Sequence, residues 1–274
     1  MNRSLTVLLC AILILTTASA AWADTCSDQA RAEADQLYEQ AMSTYLVDRT
    51  MADMKRAIPQ LERATKLCPN HDQAWALLCE LYWQYGDALP RKTSEQKKVR
   101  IGWFEKGIAA GERGYAVNPQ NVQAFFFKAT NESAAADMHG WSSSMWMLPK
   151  MREYMEQVEK MEPNYLYGGK DRFWCEVLVR VPLWLSNRMG YPPEEVAAKI
   201  DGQIAREPRY LVNYNYAGRV FYKLDQHDRA LNYLTKAIED DPDALPSQAG
   251  VNRMAQRNAR VTWLNLTGKP YPQR

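Results

Sequence analysis

Only three histidines occur along this chain, and none has a serine, cysteine or carboxylate at catalytic-motif spacing. His71 reads as a residue at a helix start, His227 as part of a turn, and His139 lies in a run rich in tryptophan and methionine. No H-E-x-x-H, G-x-S-x-G, phosphate-binding loop or dinucleotide fingerprint is present. The sequence therefore predicts a protein that is not an enzyme and that needs no cofactor and no metal. Charge of one sign is missing too, since 34 Lys and Arg balance 32 Asp and Glu. Nucleic-acid binding needs clustered positive charge, so no nucleic-acid partner is expected. The densest basic run, Arg91 to Arg100, includes Glu95 and reads as a solvated loop and helix start. Cysteine is sparse, five residues with no C-x-x-C pair, which argues against zinc-ribbon and dithiol redox sites. No stretch alternates like a strand. A sheet is not expected.

One apolar run exists, and it is at the beginning. Arg3 precedes an apolar stretch from Leu5 to Leu15, and Ala21-Trp22-Ala23 closes it. Positive, apolar and small residues in that order predict a secretory signal over residues 1–23, cleaved near Ala23. The run is shorter than the roughly 20 residues a spanning helix needs. Neither Cys10, inside the apolar stretch, nor Cys26, after Thr25, has the lead of a lipoprotein cysteine. The expected mature chain, residues 24–274, is a single exported domain, periplasmic and not membrane-spanning.

What the chain does have is a repeat. From Tyr214 to Pro242 it carries Tyr214, Ala217, Gly218, Phe221, Ala230, Leu234, Ala237 and Pro242. Small residues at Gly218 and Ala230 let two antiparallel helices approach, and Phe221 and Leu234 fill the space between pairs. The closing proline cannot continue a helix. The spacing is that of a tetratricopeptide unit. Trp75, Leu78, Cys79 and Tyr82 repeat its first half, with cysteine in place of glycine, and Ala57, Leu61, Ala64 and Pro69 repeat its second. Further ends fall at Pro119, Pro163 and Pro208. The expected fold is all-α, a right-handed tetratricopeptide-like array of five helix pairs with a C-terminal capping helix near 247–264. Arg253, Arg257 and Arg260 give that last helix the polar face a cap requires.

The intervals between the five prolines are 50, 44, 45 and 34 residues, so three units exceed the standard length. The extra residues fall near 87–95, 136–149 and 181–193, inside the pairs, with helices expected to resume at Pro149 and Pro193. Insertions at one point of successive units emerge on one side of an array, often the binding side. They are rich in large apolar residues. Trp141, Met145, Trp146, Trp174 and Trp184 read either as filler for an irregular core or as a ligand or partner groove. Tyr165 and Tyr167 are expected at its rim. Cys26 and Cys68 begin the first helix and end its antiparallel partner, so they are expected to form one disulfide. Cys79 and Cys175 should remain free and buried.

Tyr167-Gly168-Gly169, Arg172, Val181-Pro182, Gly190 and Glu207-Pro208 together resemble the T component of TRAP transporters, a family of periplasmic tetratricopeptide-like proteins. Phe125 to Trp146, with Ala134 to Ala136 ahead of the aromatic run, is similar as well. The resemblance runs roughly from Leu61 to Leu264. It implies a helical array around a pore-like apolar cavity, a substrate-binding protein as partner, an apolar small molecule as ligand, and homo-oligomer formation. A general cell-envelope adaptor for protein–protein interaction is the alternative the same repeats allow.

Overall fold

The computed structural model describes residues 26–272; the expected signal segment, residues 1–23, lies outside them. Among the described residues there is no strand, and the helices pair as the prolines imply. The first pair is α1 (Asp28–Tyr45) with α2 (Met51–Leu67), the second α3 (Asp72–Ala88) with α4 (Ser94–Val117). The third is α5 (Val122–His139) with α6 (Trp141–Met161). The fourth joins α7 (Tyr165–Arg180) to α9 (Pro193–Arg206) through the short α8 (Leu183–Arg188). The fifth is α10 (Leu211–Lys223) with α11 (His227–Glu239), and α12 (Ala249–Thr267) follows.

Local chemistry sets these boundaries. Ser27, Thr50, Thr93 and Asn121 each accept a hydrogen bond from a first-turn amide, and Thr50 with Asp53 forms a reciprocal capping box. His71 caps α3 through Nδ1, which accepts from the Ala74 amide at 3.2 Å. At the other ends, Cys68, Asn118, Glu162 and Glu207 leave the helix with ψ between 85° and 101°. Each precedes a proline, whose ring excludes helical geometry from the residue before it.

Close packing follows the small residues. A Cβ on Gly218 would lie 2.6 Å from Leu234 Cγ, so the glycine is what lets α10 and α11 meet. In the second pair the small residue has changed sides: Cys79 is fully buried, and Gly111 of α4 makes the room its sulfur occupies. Burial pushes the Cys79 and Cys175 thiols up, and both are free. Cys26 and Cys68 are joined as a disulfide with Cα atoms 5.0 Å apart.

Three expectations need correction. The second insertion is not a loop: α5 runs on to His139, α6 begins at Trp141, and Gly140 alone (φ 113°) reverses the chain. Pro149 lies inside α6 rather than at its start, because two turns of helix precede it. The third insertion contains α8. α12 keeps Arg257 and Arg260 exposed, as a cap requires, and is also tied to the start of the array. Its Arg253 Nε donates to the Val47 carbonyl at 3.1 Å and pairs with Asp48 at 2.9 Å, and Arg257 donates to the Asp48 carbonyl. The last helix thus reaches back to the first turn, and the array closes on itself.

Inside this closed array, Glu80 of α3 accepts from four donors. They are Tyr45 Oη (3.2 Å), Arg49 (2.8 Å), Gln84 (2.9 Å) and Gln123 (2.7 Å), drawn from the first three pairs. A buried carboxylate needs such a set of donors to offset its lost hydration.

Candidate functional site

Where the third pair meets the fourth, α5, α6 and α7 leave a cleft of about 280 Å³. Its apolar lining is Trp141, Met145, Leu148 and Met151 from α6, and Phe173 and Val177 from α7. Residues 141, 145 and 148 share one face of α6, as 173, 177 and 180 share one of α7, through the i, i+3, i+4 geometry of a helix. Trp141 is 60% exposed at the mouth, whereas Met151 at the bottom is fully buried.

Charged residues of α5 and α7 border the same cleft. Arg91, before α4, pairs with Asp137 of α5 at 3.6 Å, and Asp137 pairs with Arg180 of α7 at 2.7 Å. Arg180 also meets Glu176 at 2.7 Å, and Arg219 of α10 grips the same carboxylate at 2.6 and 3.1 Å. The chain of ions therefore crosses four helix pairs. Burial alone would raise the Glu176 carboxyl, but Arg219 and Arg180 outweigh it and hold it below its ordinary value. This border is thus a set of satisfied ion pairs beside an unfilled apolar surface. No group of three or more potential metal ligands occurs among the described residues.

The aromatic residues singled out from sequence separate into different environments. Trp141 and Met145 line the cleft. Trp146 follows Trp141 by five residues, about 140° round the helix, and is 86% exposed outside the cleft. Trp184, on α8, is 67% exposed. Trp174 does not belong to a groove. It is buried against Tyr191 with ring centroids 3.6 Å apart, because its position on α7 faces α9.

Tyr165 and Tyr167 are not at the rim either, since they begin α7 while the cleft lies toward its end. Tyr165 packs edge-on against Phe126 at 5.4 Å, and Tyr167 lies 4.7 Å from the Tyr210 ring. Here Leu166, Tyr167 and Gly168 all take left-handed backbone angles. That turn aims the Tyr167 carbonyl at Arg172 (3.1 Å) and Asn213 (3.0 Å), which fastens the fourth pair to the fifth. A Cβ on Gly168 would lie 2.6 Å from Gln203 Cγ, so the Tyr-Gly-Gly sequence serves packing. Sequence reasoning missed Asp137, Glu176, Val177 and Arg180; the apolar and charged stripe at 173, 176, 177 and 180 is the signal that was there to read.

No protein-family model matches the sequence, and no curated protein does. Solved structures do match. A thermophilic tetratricopeptide-repeat protein of Thermus thermophilus superimposes with a TM-score of 0.57 at 14% identity, over 81% of this chain and 98% of its own. YrrB, a tetratricopeptide protein with an unusual peptide-binding site, matches 80% of this chain and 91% of its own at 14% identity, TM-score 0.38. The MamA protein matches 76% and 94%, also at 14% identity, TM-score 0.35. Helix pairs, terminal prolines and the first of these superpositions together establish a tetratricopeptide-like, all-α helical array.

Proposed function

We propose that this protein is a non-enzymatic binding and scaffold protein of the bacterial periplasm, related in role to the T component of TRAP transporters. Its cleft takes an apolar ligand or an apolar segment of a substrate-binding protein. The observation that carries this reading is the cleft between α5, α6 and α7, where Trp141 stands exposed and Met145 half-buried over an apolar floor beside saturated ion pairs. Apolar surface left in water beside charges that need no partner favours burial of a further apolar group. Filling it with one large side chain contributes about 1.5–3 kcal/mol.

The test is binding of an anilinonaphthalene sulfonate probe, and of a purified TRAP substrate-binding protein from the same cell, to wild type and to a Trp141→Ala/Met145→Ala variant. The variant is expected to keep its melting temperature within a few degrees and to lose at least about tenfold in affinity. Equal binding by both proteins overturns the cleft as the site. Capture of other envelope proteins, but of no TRAP component, favours the general adaptor.

A further inference from the structure

The three exposed tryptophans among the described residues all sit at one end of the molecule, and two of them take no part in the cleft. In a helix-pair array the turns within pairs gather on one edge and the turns between pairs on the other. Trp146 and Trp184 belong to the first edge, just after the α5–α6 and α7–α8 turns. The Asp137–Arg180 ion pair ties those two turns together, and Arg91 brings the α3–α4 turn to the same place. Leu183, at 36% exposure, stands beside Trp184.

This end is also where the chain concentrates positive charge. Segments 87–98, 137–152 and 180–191 hold eight lysines and arginines against Asp87, Glu95 and Asp137, and counting also Glu132 and Glu176, which pair with Lys150 and Arg180, this end keeps a charge of +3 in a chain whose net charge is +2. The rest of the protein is therefore net acidic. Long basic side chains around exposed indoles match the interface of an anionic bilayer, where tryptophan favours the headgroup level and Lys and Arg meet lipid phosphates.

We propose that this edge binds peripherally to the surface of a membrane containing anionic phospholipid, with Trp146 and Trp184 entering the headgroup layer. The two indoles stand on separate helices, α6 and α8, rather than along one helical stripe. A fluid lipid interface accommodates side chains that protrude from separate points of one edge. No helix of the described residues is long and apolar enough to cross a membrane, and the contact needs none. Trp146 and Trp184 do not line the cleft, so substituting them tests this proposal separately from the one above.

The experiment is sedimentation with vesicles of phosphatidylcholine alone, or mixed with phosphatidylglycerol, for wild type, Trp146→Ala/Trp184→Ala and Met145→Ala. Wild type is expected on the phosphatidylglycerol vesicles, released by raising the salt, with its tryptophan emission blue-shifted. The double tryptophan variant should bind at least about tenfold more weakly with an unchanged melting temperature and unchanged dye binding. Met145→Ala should bind vesicles as wild type does. All three proteins share one N-terminus, so any contribution of residues 1–25 cancels. Wild type failing to sediment, or a double variant that sediments equally well, overturns the proposal. So does a double variant whose defect is in self-association by light scattering, which would make the edge a contact between copies of this chain.

Discussion

Glu176 shows how a single side chain holds several elements together. It sits on α7, accepts from Arg219 of α10, and shares Arg180 with Asp137 of α5. Its carboxyl is pulled two ways, raised by burial and lowered further by the two guanidinium groups, and the net direction is down from 4.5. A carboxyl depressed in the folded state stabilises that state above the unfolded value and loses the contribution as pH falls through the folded one. Glu176→Gln is therefore expected to cost about 1.5–3 kcal/mol at pH 7, the range for hydrogen bonds to charged groups. Urea unfolding of both proteins should show that gap constant down to about pH 4.5 and shrinking below it. A gap that stays constant to pH 3 would mean the loss is one of packing rather than of charge. The same residue marks a limit of sequence reading. In one dimension Glu176 is one charge among many on a helix, and only the curvature of the array delivers Arg219, 43 residues later, to its side.

At the level of elements, the helices that obey a short rule were readable. In α10 and α11 the small and large residues alternate as the repeat requires, and Gly218 does touch Leu234. The caps and the terminal prolines fixed most remaining boundaries. In sequence the excess length of the third unit looks like a loop, because Pro149 suits the first turn of a helix. A proline well inside a helix is tolerated where neighbouring packing holds both sides, and here Met145 and Leu148 line the cleft wall while Met151 packs into the core. The whole reversal then falls on Gly140, whose φ of 113° and ψ of 176° lie in a region open in practice only to glycine. Two Gly→Ala changes should consequently have opposite signs. Neither Gly140 nor Gly202 would bring an added Cβ within 4 Å of a neighbour, so sterics do not distinguish them. Gly140→Ala should destabilise by about 1–3 kcal/mol through backbone strain. Gly202→Ala, in the exposed interior of α9, should stabilise by about 0.5–1 kcal/mol. Paired urea denaturation curves decide it, and two shifts of the same sign would refute the conformational account.

For the whole molecule the closure of the array is the property no local pattern announces, because it depends on the rotation accumulated over five helix pairs. Two kinds of contact hold it. Arg253 and Arg257 reach the Val47–Asp48 turn, and Gly250 lies so close that a Cβ there would collide with the Leu46 carbonyl oxygen. They should differ in weight. Arg253 is about a third exposed, with a side-chain exposure of 30%, and exposed ion pairs contribute roughly 0–1 kcal/mol. The close approach at Gly250 is between backbones, which cannot yield without moving the turn, and Arg49 in that turn is bonded to Glu80 in the interior. Arg253→Ala should then leave the array closed, with an unchanged radius of gyration in small-angle scattering. Gly250→Val should part α12 from the first turn and enlarge that radius. Helix content by circular dichroism should hardly change, since each pair contacts chiefly its neighbours. The opened array should also give the Arg49–Glu80 pair access to water, visible as faster amide exchange around residues 46–50. An unchanged radius in Gly250→Val would mean that the arginines, not the backbone contact, keep the two ends together.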